Sequence, residues 1–424
     1  MTQMRRCKVA VLVGAAAFVV VGACSSYEPP ADSGGVALGT GECAALAVVS
    51  NDPKFSATAL AVLGFDGHVE SPSMLTSASK SAGLSAALGG DVVLPTHPTR
   101  APEIVLLDRS NGGAVVTWID AAKGRVSGQL AVDTGIPAAN PQDYLDVTAD
   151  KAYVTRYTDN PSPGREPFDR GGGVLVLDTK ERRIVGEIDL HPAFSDEPTF
   201  AEPHPWRMVQ AGGKVYVLCA AYSKGFTKTG DSKIVTIDAS NDAIVDVTTL
   251  PGTHGCVGLA LSPDEATLAV TCWGANGTNQ GDLATSELIT LHRDAGLSIA
   301  TRIPASSVGQ NPFGFSVAFA ANDSLLATTM GSLEDTPPRR DRLIHLSLDG
   351  TTHEAVLESG DSTAVAIGDV RCEAACGACF ATDAERHAVF RFPVTKSGVG
   401  TPAPISLDDG IGGDPRYLGS VAWP

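Results

Sequence analysis

The chain has 424 residues, 43% of them hydrophobic, with 45 glycines, 27 prolines and only 19% charged side chains. It sets 31 basic against 48 acidic residues, a net charge of −17, and such a surface repels polyanions, which excludes a nucleic-acid partner. No heptad persists and no run of like charge occurs, which excludes a coiled coil and a disordered acidic tail; the composition is that of a strand-rich globular protein with many tight turns.

The N-terminus opens with Arg5, Arg6 and Lys8, followed by the apolar run 9–21. A membrane-spanning helix needs ~20 apolar residues, so this run is too short to span and fits the apolar region of a secretory signal. The stretch Val21-Gly22-Ala23-Cys24-Ser25 resembles the bacterial lipoprotein box, in which small residues precede a cysteine that becomes diacylated. The resemblance implies a signal peptide over 1–23 and lipid on Cys24, holding the protein at the bacterial outer membrane or cell surface without a transmembrane helix. An ordinary secretory signal cut at the same point would leave Cys24 a plain thiol. Segment 24–42, dominated by Pro, Gly and Ser, reads as a flexible tether, and 43–424 as the folded body.

Within that body a four-strand unit recurs. It is clearest over 141–190. Strand 143–148 is followed by a turn, strand 152–157, a long polar loop, strand 173–178 ending in Asp178, a second turn and strand 184–190. The second strand of each unit falls at 44–49, 91–96, 151–156, 214–219, 267–272, 324–329 and 378–383. In the second unit, 103–109 reads as an additional inserted piece. A four-stranded sheet cannot bury both faces alone, so such units stack around an axis. The first unit lacks an inner strand, and the last unit (361–408) is followed by one unpaired strand, 416–423. Pairing the two removes two open edges. The expected fold is all-β: a seven-bladed β-propeller closed by the C-terminal strand, which completes the first blade.

At these residues the chain resembles the YVTN-repeat and lactonase-like family of seven-bladed β-propellers. Tyr153-Val154-Thr155-Arg156 nearly spells the tetrad; Tyr216-Val217-Leu218 and Ala269-Val270-Thr271 are weaker copies. Asp120, Asp178 and Asp238, which end third strands, and the Ser262-Pro263-Asp264 turn also fit. The resemblance implies a propeller on a bacterial surface or in the periplasm. It implies no activity, because the family's catalytic residues cannot be placed here.

In such a fold the inner strand runs from the top face to the bottom. The long loops 95–102, 158–172, 222–231, 273–285 and 331–340 and the crossover 191–205 are then expected on top, and the short turns below. Long loops are tolerated where they serve binding, so the top face and the mouth of the central channel are the expected site. Asn140, Asp143, His204, Arg207, His254, Asn311, Phe313 and Arg416 start inner strands there, and Arg156 ends a second strand nearby. Together they could hold a small anion or sugar acid by charge-assisted hydrogen bonds, or simply cap strand ends beside a water-filled channel.

In an oxidising compartment disulfides are the default state of the cysteines. Cys256 and Cys272 lie symmetrically about the turn at Asp264, so a bridge between them is expected. Two more are expected within Cys43, Cys372, Cys376 and Cys379, tying the first blade to the last and leaving Cys219 as the odd thiol. Cys376-Gly377-Ala378-Cys379 is followed by Phe380 where haem attachment requires His. His254 with Cys256, Cys272 and Cys219 could otherwise bind copper or zinc, and the stretch from Asp408 to Asp414 reads as a solvated turn rather than a calcium loop. No catalytic motif, metal site or cofactor signature is recognisable. The expected function is therefore a monomeric, membrane-anchored binding module for a protein or small molecule; the alternative is a channel-mouth enzyme of lactonase or cofactor-dependent oxidoreductase type.

Overall fold

The computed structural model describes residues 6–9, 22–25 and 41–423, apart from 81–82, 111, 137, 197, 201, 275–280, 295, 364, 396–397 and 409–411. The apolar run beyond Val9 and the tether over 26–40 lie outside the described residues. So does part of the stretch from Asp408 to Asp414. Arg6–Val9 pairs antiparallel with Gly22–Ser25.

The body is a seven-bladed β-propeller whose blades are antiparallel sheets counted from the axis outward, four-stranded except the last, which has a fifth short strand, Gly398–Val399. The inner strands are Asp414–Trp423 (blade 1), Val92–Val93 (blade 2), Pro141–Asp146 (blade 3), Pro205–Ala211 (blade 4), Cys256–Leu261 (blade 5), Phe313–Ala321 (blade 6) and Val370–Glu373 (blade 7). Second strands read as nearly continuous apolar runs because neighbouring blades cover both of their faces. In Lys151–Arg156 every residue after Lys151 is buried. Side chains alternate across the strand, so Val154 packs toward blade 2 against Val105 and Leu107, while Tyr153 packs toward blade 4 against Val215 and Val217. The outermost strands, such as Ala243–Thr249, are largely exposed, and there Asp246, Thr248 and Thr249 help to blunt the open edge.

The ring closes as the pattern requires. Asp414–Trp423 pairs with Gly41–Asn51, setting Val421 opposite Ala45 and Leu418 opposite Val48. A disulfide between Cys43 and Cys376, 333 residues apart, fastens blade 1 to blade 7 at the bottom, and Cys372–Cys379 bridges a hairpin of blade 7. Cys256–Cys272 joins the first two strands of blade 5, and Cys219 is a buried free thiol.

Blade 2 departs from the expectation. Its second strand is Glu103–Asp108, and residues 91–96 supply instead a two-residue inner strand, Val92–Val93. The apolar run there has the length of a strand, but Pro95 and Pro98 cannot donate to a ladder. The following loop, 94–102, therefore joins first to second strand. It belongs to the channel and the lower face, not to the top.

The tetrad residues have a structural role in this arrangement. The inner strands of blades 3 to 6 are bulged near their upper ends, with register shifts between Pro141 and Tyr144, Pro205 and Met208, Cys256 and Gly258, and Phe313 and Val317. The threonine of the second strand fills the bulge: Thr155 Oγ1 accepts the N–H of Asp143 at 2.9 Å, and Thr328 Oγ1 that of Ser316 at 3.2 Å. Thr382 Oγ1 does the same for Asp369 N–H in blade 7, at 3.0 Å. In blades 5 and 6 the space beside the hydroxyl demands glycine, since a Cβ on Gly258 would lie 2.1 Å from Thr271 Oγ1 and one on Gly314 2.5 Å from Thr328 Oγ1. Val48-Val49-Ser50-Asn51 of blade 1 occupies the same place, and Asn51 Nδ2 donates to the Gly90 carbonyl, linking blade 1 to blade 2.

Candidate functional site: the channel mouth

The bulges decide what faces the axis. An extra residue in one strand re-aims its neighbours. Here Gln142, Trp206, Arg207 and Phe315 come from the bulged segments and line a cavity of about 260 Å³ at the upper end of the channel, joined by Arg109, Arg416, Tyr417 and Phe55.

Three guanidiniums surround this space. Arg109 donates to Asp91 Oδ1 at 2.5 Å, Gln142 Oε1 at 2.9 Å and the Tyr417 hydroxyl at 2.9 Å. Burial acts to lower its pKa, but Tyr417 and Asp91 outweigh that and hold it above the ordinary arginine value. Arg416 pairs with Asp414 at 3.0 Å and lies over the Phe55 ring. Arg207 is buried, and burial pulls its pKa down; Asp143, 4.0 Å away, opposes this. The Nε atoms of Arg109 and Arg416 are buried without a partner. The wall opposite is aromatic: Trp206 and Phe315 are nearly parallel with ring centres 6.4 Å apart, and Trp273 and Tyr157 extend this band.

Below the cavity, Asp143 is fully spent. It accepts from Thr96 N and Thr96 Oγ1 (both 2.9 Å), Tyr144 N (3.0 Å) and Met208 N (2.9 Å). Two of those bonds come from the 94–102 loop, and Arg207 Nη1 also donates to the Leu94 carbonyl. The loop thus enters the channel from blade 2 and meets blades 3 and 4, dividing an upper cavity from a lower one.

The residues expected at the mouth separate into three groups. Arg207 and Arg416 line the cavity. Asn140 and Asp143 stand one layer behind it, Asn140 Oδ1 accepting from Gln142 Nε2 at 2.6 Å. The other five serve the framework. Arg156 is buried against Glu187 and the Phe168 carbonyl. His204 Nδ1 bonds the Tyr157 carbonyl at 2.8 Å and Nε2 reaches Glu202 at 3.2 Å. Asn140 and His204 adopt φ of 52° and 48° just before Pro141 and Pro205, so both are corner residues that turn the chain into an inner strand. His254 bonds the Gly230 carbonyl, Asn311 the Arg340 carbonyl, and Phe313 is core between blades 5 and 6. Cys256 and Cys272 are bonded to each other and offer no thiolates beside His254. Among the described residues no group of three or more His, Cys, Asp or Glu is placed to hold a metal.

Arg109, Gln142, Trp206, Phe315, Tyr417 and Phe55 were not expected at the mouth. Arg109 was hidden by the misplaced second strand of blade 2. Gln142, Trp206, Phe315 and Tyr417 lie one or two residues from Asp143, Arg207, Phe313 and Arg416, the displacement that a bulge introduces.

No family model matches the chain, and no curated protein sequence does. Solved structures share its fold. The periplasmic gluconolactonase of Pseudomonas aeruginosa is 13% identical with a TM-score of 0.57, the match covering 90% of this chain and 99% of that one. A Bacteroides fragilis protein provisionally assigned as a 6-phosphogluconolactonase is 11% identical with a TM-score of 0.54, covering 88% and 97%. Hydrazine synthase of Kuenenia stuttgartiensis is 14% identical with a TM-score of 0.52, covering 74% and 80%. The chain therefore has the fold of lactonase-like seven-bladed propellers.

Proposed function

We propose that the protein is an exported, lipid-anchored propeller that binds a small anion, such as a sugar acid, at the upper channel mouth. The observation that carries this reading is the cavity of about 260 Å³ with Arg109, Arg207 and Arg416 around it and Trp206 and Phe315 as its wall. The guanidiniums take the anion by charge-assisted hydrogen bonds, and the aromatic faces take the body of the ligand. The nearby carboxylates are engaged, Asp91 by Arg109, Asp143 by backbone and Thr96, and Asp414 by Arg416. Each of them is already paired, and the site is read as one for binding rather than catalysis.

Three disulfides are consistent with folding in an oxidising compartment. The small-residue approach to Cys24 supports the anchor, and Cys24→Ser is expected to release the protein from membranes; continued attachment overturns that part.

Calorimetric titration of the mature chain with gluconate and with the uncharged gluconamide tests the site. Gluconate is expected to bind at least tenfold tighter, and Arg416→Ala to remove that preference. Equal affinities, or an unaffected variant, overturn the reading. Turnover of glucono-δ-lactone that is abolished by Arg416→Ala would replace binding by the second reading, a hydrolase at the same mouth, which the name of the Pseudomonas relative suggests.

A further inference from the structure

The aromatic wall of the upper mouth does not end at the cavity. Trp206 meets Tyr157 edge to face with ring centres 5.2 Å apart, and Tyr157 in turn lies nearly parallel to Phe226 at 5.9 Å. Trp206 and Tyr157 are partly exposed, and Phe226 stands 42% exposed on the 222–231 loop of blade 4. Of the large apolar side chains exposed among the described residues, only Phe55 and Phe226 are aromatic. Phe55 lines the cavity, whereas Phe226 lies two ring steps outward from its Trp206 wall.

The loop is built to present this ring. Ser223 N donates to the Lys228 carbonyl at 3.0 Å and Lys228 N to Ser223 Oγ at 2.9 Å, closing the tip, and Phe226 N donates to the Ser223 carbonyl at 2.9 Å. Tyr222 bridges to both Glu202 and Thr229, which fixes the base of the loop. Phe226 itself is held at φ 59°, a region that a bulky side chain occupies only at a cost, and such strain collects at functional sites. His204 and Tyr222 also pack against the ring, with centres 4.7 and 5.4 Å away. Glu202, 3.2 Å from His204 Nε2, and the exposed Lys224 and Lys228 set polar groups beside the aromatic faces. Aromatic faces bordered by hydrogen-bonding groups suit a sugar, which offers apolar C–H faces and a rim of hydroxyls. A net charge of −17 repels polyanions, which favours neutral sugar units on this shelf over an acidic polymer.

Resting on the reading of the mouth as a sugar-acid site, we propose that its ligand is an oligosaccharide ending in a sugar acid. The acidic unit enters the cavity, and the neutral units behind it lie along Tyr157 and Phe226. The ring steps of 5.2 and 5.9 Å are each close to the length of one sugar unit, so the shelf takes two units beyond the acid.

The test is calorimetric titration of the mature chain with gluconate, cellotrionate and maltotrionate. The last two carry gluconate at the end of two neutral glucose units, in an extended and a curved chain. At least one trisaccharide acid is expected to bind at least fivefold tighter than gluconate, and uncharged cellotriose and maltotriose to bind more weakly than their acids. Phe226→Gly removes the ring and suits the left-handed backbone. It is expected to bring the trisaccharide acid down to the affinity of gluconate, while Phe226→Tyr keeps the gain. Gluconate binding with no gain for either trisaccharide acid, a gain untouched by Phe226→Gly, or an equal fall in gluconate affinity in that variant would each overturn this inference and leave the mouth a sugar-acid site. Absence of binding by all three acids would overturn the reading of the mouth together with it.

Discussion

The two halves of the channel are built on the same device and end differently. In each, an inner-strand aspartate accepts the backbone N–H of the next blade's inner strand and stands beside a buried arginine. Asp143 takes Met208 N and faces Arg207 in the upper half, and Asp369 takes Leu418 N and faces Arg371 in the lower. Above the dividing loop the arginines stand among aromatic rings and engaged carboxylates. Below it, Nε and Nη2 of Arg371 are buried without a partner. The repeated scaffold fixes where an aspartate staple belongs, and the residues that intrude on the channel decide what each arginine has left to offer. A net charge of −17 says nothing of this interior, where Arg109, Arg207, Arg371 and Arg416 each stand beside an aspartate.

The largest expected effect comes from removing either staple. Asp143→Ala and Asp369→Ala each leave a buried arginine without its carboxylate, and each should cost about 3–5 kcal/mol in denaturant unfolding. Only Asp143→Ala also releases Thr96, so limited proteolysis within 94–102 should appear in that variant and not in Asp369→Ala. Cleavage in both would mean that the loop is not held as a divider between the halves.

The lower half also carries the closure bridge. Replacing Cys43 and Cys376 together by serine should cost about 2–5 kcal/mol, because the bond closes a very long loop. The upper cavity's gluconate affinity should survive at temperatures where the fold persists. Equal loss of upper-mouth binding and stability would show that the halves are not independent.

A smaller effect separates the bulges of the upper half from one another. Thr155→Val removes a hydroxyl that accepts from Asp143 N and donates to the Trp206 carbonyl, and should cost about 1–3 kcal/mol. Thr271 Oγ1 is buried without a partner, so Thr271→Val should be neutral or stabilising by the same measurement. Equal costs would contradict the bulge-filling role of the threonine.

The smallest effect concerns the upper rim. His191 bridges Asp189 (2.6 Å) and Asp159 of the 158–172 loop (2.9 Å). Burial disfavours its charge, but Asp159 and Asp189 outweigh that and raise its pKa above the ordinary imidazole value. A raised folded pKa stabilises below the unfolded value, near 6.5, and that contribution fades as pH rises through the folded value. The thermal midpoint should therefore decline slightly as pH rises past about 6.5, and His191→Gln should flatten that dependence. A profile unchanged by the substitution would show that the His191 bridge to Asp159 and Asp189 does not contribute to stability.

Much of the architecture was legible in the residues themselves. The recurring apolar second strands, the unpaired strand at the end of the chain and the symmetric spacing of Cys256 and Cys272 each reflect a local constraint. Strands buried on both faces must be apolar, an open edge must be paired, and hairpin partners sit equidistant from their turn. The misreading of blade 2 marks the limit of that logic, since 91–96 has strand-like composition but two prolines divert it into the channel. Of the candidate site, the presence of arginines at the mouth was legible through Arg207 and Arg416. Gln142, Trp206 and Phe315 were not, because a bulge moves the inward-facing position by a residue and leaves no mark on strand periodicity.

The sequence by itself determined the blade repeat, the closure and the Cys256–Cys272 pair, since each is set by alternation, edge pairing or spacing along the chain; which of Cys372, Cys376 and Cys379 bonds Cys43 it left open. Only the tertiary structure decided which polar residues reach the axis, which of them remain unpaired, and that the channel is divided. Those outcomes depend on strand register and on contacts across the ring. A one-residue change of register exchanges the two faces of a strand, and contacts between blades join residues far apart in sequence.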